Sequence, residues 1–245
     1  MHAELDFLAS TCIDLLKGIP LTLQLAFLSV TLGAVLAFIL ALMRISGVLP
    51  LDLVARLYAF VFRGTPMLVQ IFIIYYGFSQ FSWIRHGFLW PWLRQAYWCA
   101  VLAMTFNTAG YAAEIIRGGL LSVPAGQIEA ARACGMPPWT LYRRIILPQA
   151  LRQMLPAYSN EVILMVKSTA LASTITLVEV TGVAAKLISA SYRTVEVFVC
   201  AGAIYLAINF AVTRLFAMME YALSPEKRFQ PSARPQAPGQ EASHA

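Results

Sequence analysis

Charge is what this sequence has least of. Only 12% of its 245 residues are Asp, Glu, Lys or Arg, about half the share of an ordinary soluble domain. That deficit excludes a chain meeting water on every side. Cysteine is sparse too. Cys12, Cys99, Cys134 and Cys200 lie far apart with no C-x-x-C pair, so neither a metal site nor a disulfide framework is indicated. His2, His86 and His244 are isolated and lie at termini or in a connection. No G-x-x-x-x-G-K-S/T run occurs, which excludes nucleotide binding through a P-loop. H-E-x-x-H and G-x-S-x-G are missing as well, and no catalytic residue is assigned. There is no internal repeat, and no small-residue cleavage site marks a removed leader.

What the chain has in quantity is apolar length. Hydrophobic residues make up 59% of it, and its mean hydropathy is +0.68. Several runs reach the 18 or so apolar residues that cross a bilayer, so the expected fold is an all-α integral membrane protein with about five transmembrane helices. The predicted spans are 21–43, 64–80, 97–116, 158–181 and 197–219. Residues 1–18 carry Glu4, Asp6 and Asp14 against Lys17 alone and read as an amphipathic segment at the membrane surface. Leu51–Phe62 is too short and too charged to cross alone. Trp83, Trp90 and Trp92 suit an aromatic belt. Residues 222–245, rich in Pro, Ser, Ala, Gln and Gly, read as a disordered tail.

The net charge of +6 does not indicate nucleic acid, because its distribution has a plainer meaning. Arg44, Arg56, Arg63, Arg117, Arg132, Arg143, Arg144 and Arg152 gather on one side. Lys17, Arg85, Arg94, Lys186 and Arg193 are all that the other side holds. The positive-inside rule then places residues 117–157 and the C-terminus in the cytoplasm and the N-terminus outside.

Residues 117–157 are a basic, partly polar island between apolar runs. Ser122-Val-Pro124 resembles a helix start with Ser as cap, Ala125–Ala133 favours helix, and Gly135 suits the left-handed residue that ends one. Pro137-Pro138 can open a second helix, and Pro148 limits how far it runs regularly. Two short helices around a tight bend would present Trp139, Leu141 and Tyr142 as a docking surface. A long loop that merely covers helix ends is the plainer alternative.

Glu129-Ala130-Ala131, Gly135, Ile145 and Leu147-Pro148 follow the spacing E-A-A-x3-G-x9-I-x-L-P. This resembles the EAA loop of importer permeases of the ABC transporter superfamily. Arg63–Pro66 (RGTP), Tyr111–Gly119 (YAAEIIRGG) and Gly126-Gln127 are similar to its polar amino acid branch. Tyr158–Met165 with Ser168–Ala172 resembles the M-type subunit of importers for histidine, lysine, arginine and opines.

The resemblance implies a type I importer bundle in a bacterial inner membrane. Its cargo would be a cationic amino acid (histidine, arginine, lysine or ornithine) or an opine. It implies cytoplasmic ATPase subunits that bind the ATP, a second permease of the related Q type and a periplasmic solute-binding protein, with no cofactor in this chain. Glu129, Ala130, Ala131, Gly135, Ile145, Leu147 and Pro148 would then couple the bundle to the ATPase. One departure stands out: many relatives read Lys-Asp-Thr-Ser-Leu where this chain has Lys167-Ser168-Thr169-Ala170-Leu171.

Polar residues inside spans are costly and mark candidate pathways. Asn107, Tyr111 and Glu114 fall at i, i+4 and i+7 on one helical face. Glu161 and Lys167 belong to the fourth span, with Lys167 about 14 Å deep by helical rise. The pathway reading gives a substrate carboxylate to Lys167 and a cationic group to Glu114 or Glu161. Mutual neutralisation between neighbouring helices is the alternative, and Glu114 can also snorkel to the interface. Arg63 reads as an orienting interface charge, and the Phe72–Phe78 stripe as packing. Two other function classes fit less well: a stand-alone secondary transporter, which usually has more spans built from repeats, and an intramembrane enzyme using Glu114, Glu161 or Lys167.

Overall fold

The computed structural model describes residues 2–223. The expected tail lies outside the described residues except for 222 and 223, which end the last helix. Every element among the described residues is helical. They are α1 (His2–Leu16), α2 (Ile19–Ile45), α3 (Leu49–Gly64), α4 (Met67–Phe72), α5 (Ser82–Arg85), α6 (Trp90–Leu93), α7 (Ala96–Leu121), α8 (Ala125–Ala133), α9 (Pro138–Leu141), α10 (Leu147–Ser168), α11 (Val180–Ser191) and α12 (Thr194–Leu223). Short π and 3₁₀ segments extend two of them: Ile73–Gly77 and Phe78–Gln80 after α4, Tyr142–Ile146 before α10, and Thr169–Ile175 after it.

Three helical stretches, Asp6–Ile45, Ala96–Leu121 and Thr194–Leu223, are long and apolar enough to cross a membrane. Two bent pairs bring the number to five. One is Leu49–Gly64 with Met67–Gln80, bent by 104°, and the other is Pro138–Ile175 with Val180–Ser191, bent by 48°. Leu51–Phe62, expected beside the interface, lies in the first arm of the 104° pair, which has the shape of a broken span or of a re-entrant loop. Broken helices are tolerated at membrane depth only where other groups satisfy the freed backbone.

The bundle is built around α7. Its buried residues include Ala100, Ala103, Ala109, Gly110, Ala112 and Ala113, and small side chains let neighbouring backbones approach closely. The main neighbour is α2, where a Cβ at Gly33 would come within 2.7 Å of Thr108 Cγ2. Two apolar clusters line this seam, one around Leu25, Ile71 and Met104, the other around Ala37, Leu40 and Ala112.

α1 does not lie apart from the bundle. Its Leu15 is fully buried with Val180, Ala184, Val197 and Cys200 of α11 and α12, while Ile13 and Leu16 face outward. The α1–α2 junction presses on the start of α11, so closely that a Cβ at Gly18 would sit 2.5 Å from Val180 N. At α5–α6, Trp83, Phe88 and Trp92 are exposed.

Candidate functional site

The island folds as a knob with its own core. Val123, Ala131, Leu141 and Ile146 are buried together, with Ile128, Met136 and Ile145 packed against them. α8 ends on Gly135, whose φ is +74°. Gly135 N donates to Arg132 O at 2.9 Å, and Met136 N donates to Ala131 O at 3.1 Å. That pair of bonds is a Schellman motif, and the left-handed residue at its centre favours glycine.

Two local expectations need correcting. Ser122 does not cap α8. Its hydroxyl donates to Gly119 O at 2.7 Å and so closes α7, while Pro124 stands before α8 with no side-chain cap. Nor is the second helix short: helical structure runs from Pro138 to Ser168 without a break. The π turn at Tyr142–Ile146 sits just ahead of Pro148, and widening the helix there relieves the clash of a proline ring with the carbonyl one turn back.

The seven EAA-loop residues divide into two sets. Glu129, Ala130, Gly135 and Leu147 are exposed, whereas Ala131 is buried and Ile145 and Pro148 are half-buried. Ala131 and Ile145 therefore build the knob, and Glu129, Ala130 and Gly135 are on its outer face. Trp139 (76% exposed) and Tyr142 are also exposed on the knob, while Leu141 lies in its core.

A second candidate site lies within the bundle. A cavity of about 430 Å³ is lined by Arg63, Gly64, Thr65, Pro66, Met67, Asn107, Tyr111, Glu161, Leu164, Met165 and Ser168. Its wall includes the break between α3 and α4. The freed carbonyls of that break are satisfied by side chains. Gln70 Nε2 donates to Phe62 O at 2.9 Å and Thr65 O at 3.1 Å. Asn107 Nδ2 donates to Phe62 O at 3.2 Å and Gln70 Oε1 at 3.1 Å. Tyr111 Oη donates to Arg63 O at 3.4 Å. Asn107 and Tyr111 thus brace the bend as well as line the cavity. Gln70, absent from the sequence-level candidates, does most of the bracing.

Glu161 is buried, at 7% exposure. Thr108 adjoins it, but the hydroxyl makes no well-formed hydrogen bond. No ion pair reaches Glu161 among the described residues. Lys167 is exposed on an adjoining part of α10, outside the cavity lining, also with no ion pair. Glu114 is neutralised, pairing with Arg44 and with Arg117, the latter at 2.9 Å. Arg44 also meets Asp52 at 2.9 Å, and Asp52 meets Arg56 at 2.7 Å. This cluster ties α2, α3 and α7 together. Ser168 lines the cavity, its hydroxyl donating back to Leu164 O at 2.9 Å.

One buried acid escaped the sequence reading altogether. Glu179 is fully buried and precedes α11. It accepts from Thr181 N and Gly182 N at 2.9 Å each, and from Tyr205 Oη at 2.6 Å. An acid placed among apolar residues was the available signal, and weighing only Lys and Arg in the connections passed over it.

Residues 30–224 match the family described as the binding-protein-dependent transport system inner membrane component. The chain is 70% identical over 222 residues to the octopine transport system permease protein OccM of Rhizobium radiobacter, covering 91% of each. It is 43% identical over 204 residues to the histidine/lysine/arginine/ornithine transport system permease protein HisM of Escherichia coli strain K12, covering 83% of this chain and 86% of that protein. Its fold resembles a chain of an amino acid ABC transporter crystallised with histidines, with a TM-score of 0.77 and 36% identity, over 89% of this chain and 97% of that one.

Proposed function

Because the chain belongs to the family of binding-protein-dependent transport system inner membrane components, we propose that it passes a cationic amino acid or an opine through the cavity between α3, α4, α7 and α10. It is a permease subunit of an ABC importer. The buried, unpaired Glu161 carries the substrate reading. A buried carboxyl group with no ion pair to hold it is costly, and an ammonium or guanidinium group passing through would supply that direct partner. OccM and HisM are named for octopine and for histidine, lysine, arginine and ornithine. A nitrogen-centred cation is the chemistry these molecules share.

Coupling follows from the knob. Glu129, Ala130 and Gly135 meet the cytoplasmic ATPase, which binds the ATP; this chain supplies no catalytic group. Movement of the knob travels along the helical run from Pro138 to Ser168, about 45 Å at 1.5 Å per residue, directly past Glu161. A periplasmic binding protein delivers cargo on the opposite side. The second permease is a related Q-type chain. The basic bias of the cytoplasmic connections supports a periplasmic N-terminus and a cytoplasmic C-terminus.

The test is Glu161→Gln in the complete complex reconstituted in proteoliposomes. Uptake of arginine or octopine should fall about 10- to 100-fold, as expected for losing a charge-assisted hydrogen bond, while the assembled complex still hydrolyses ATP. Uptake equal to wild type would refute the role of Glu161.

A further inference from the structure

The cavity holds a second charge that the pathway reading leaves unused. Arg63, at the end of α3, lines the same cavity as Glu161. The two are of opposite sign, yet no ion pair joins them, and Arg63 forms none elsewhere among the described residues. Instead its guanidinium carbon lies 5.3 Å from the centroid of the Tyr111 ring. Tyr111 is itself anchored to the Arg63 carbonyl. Stacking on an aromatic face holds a guanidinium by its plane and leaves its edge donors free. Those donors match a carboxylate in a bidentate fork. Lys167, the other cation considered for this role, does not line the cavity.

We propose that Arg63 is the carboxylate anchor of the transported molecule, so that the cavity recognises a substrate bearing both a cation, at Glu161, and a carboxylate, at Arg63. This rests on the transport reading above and assigns the specificity of the same cavity. Held apart, the two side chains select for molecules long enough to meet both. A cation without a carboxylate satisfies only one of them.

The assay is equilibrium binding to the purified complex of both permease chains and the ATPase, with the binding protein omitted so that its selectivity does not intervene. The probes are labelled octopine and arginine. The competitors are agmatine, which is arginine without its carboxylate, and citrulline, which keeps the carboxylate and the α-ammonium but carries a neutral ureido group where arginine has its guanidinium. Wild type should prefer arginine to agmatine. Arg63→Gln should weaken arginine and octopine about 10- to 100-fold and leave agmatine unchanged, erasing that preference. Arg63→Lys, which keeps the charge but not the fork, should retain part of it. Glu161→Gln should instead erase the preference for arginine over citrulline. An unchanged arginine-to-agmatine ratio in Arg63→Gln, with the Glu161→Gln effect intact, overturns the anchor and leaves the transport reading standing. Should the Gln variant not assemble, an unchanged ratio in Arg63→Lys overturns it equally. Failure of the wild-type complex to bind either probe overturns both.

Discussion

Glu179 offers the sharpest test of how the bundle is held. Its side chain joins three elements: it caps the start of α11, receives the Tyr205 hydroxyl of α12 at 2.6 Å, and lies 3.5 Å from the Thr22 hydroxyl of α2. Glu179→Ala leaves the partly buried N–H of Thr181 and the buried N–H of Gly182 without their acceptors. A hydrogen bond to a charged group is worth about 1.5–3 kcal/mol, and a lost helix cap costs about 1 kcal/mol. The Tyr205 hydroxyl keeps Thr181 Oγ1 at 3.1 Å, so its share is partly recovered. The net loss should be about 3–4 kcal/mol. At about 2–4 °C per kcal/mol for a chain of this length, thermal unfolding of the detergent-purified complex should begin roughly 6–16 °C lower. Glu179→Gln keeps the shape and one acceptor oxygen and should cost about 1–2 kcal/mol. A double-mutant cycle with Tyr205→Phe isolates the bond between them. An alanine variant melting within about 2 °C of wild type would refute the capping role, and additive single effects would refute the bond to Tyr205.

Gly135→Val places a β-branched residue at φ +74°, a strain of at least about 1–2 kcal/mol. Open space surrounds the position, so membrane insertion should be normal while substrate-stimulated ATP hydrolysis is lost. Gly135→Asn, which tolerates the left-handed region, should restore much of it, and full coupling in the valine variant counts against the knob as the docking element. Gly18→Ala sets a Cβ 2.5 Å from Val180 N and 2.7 Å from the Glu179 carbonyl carbon. Because these are backbone atoms that cannot turn aside, it should destabilise the complex by about 1–3 kcal/mol. A thermal midpoint matching wild type would show that α11 is free to shift.

How much of this was legible follows from the range of each signal. The spans, the basic side and the helix–Gly–helix knob are local patterns of hydropathy, charge and turn chemistry, and each was read from a short window. The Gly135 turn needs only its neighbours to form, so its left-handed backbone was legible. Ser122 was misread because one hydroxyl can serve either the helix before it or the helix after, and only the chain's path decides between them. The second knob helix was expected to be short because Pro148 breaks regular α-helix, but a π turn absorbs that proline.

By itself the sequence determined an all-helical membrane bundle, the basic bias of its connections and the spacing of the knob motif, since composition and spacing along the chain specify these. Only the tertiary structure decided which polar groups meet. Glu114 finds Arg44 and Arg117, Asn107 and Gln70 brace the α3–α4 bend, Glu179 pins α11 to α12, and Glu161 is left facing Arg63 across a cavity. Whether a charge inside a membrane is neutralised or free depends on helices far apart in sequence, and no local window contains that information.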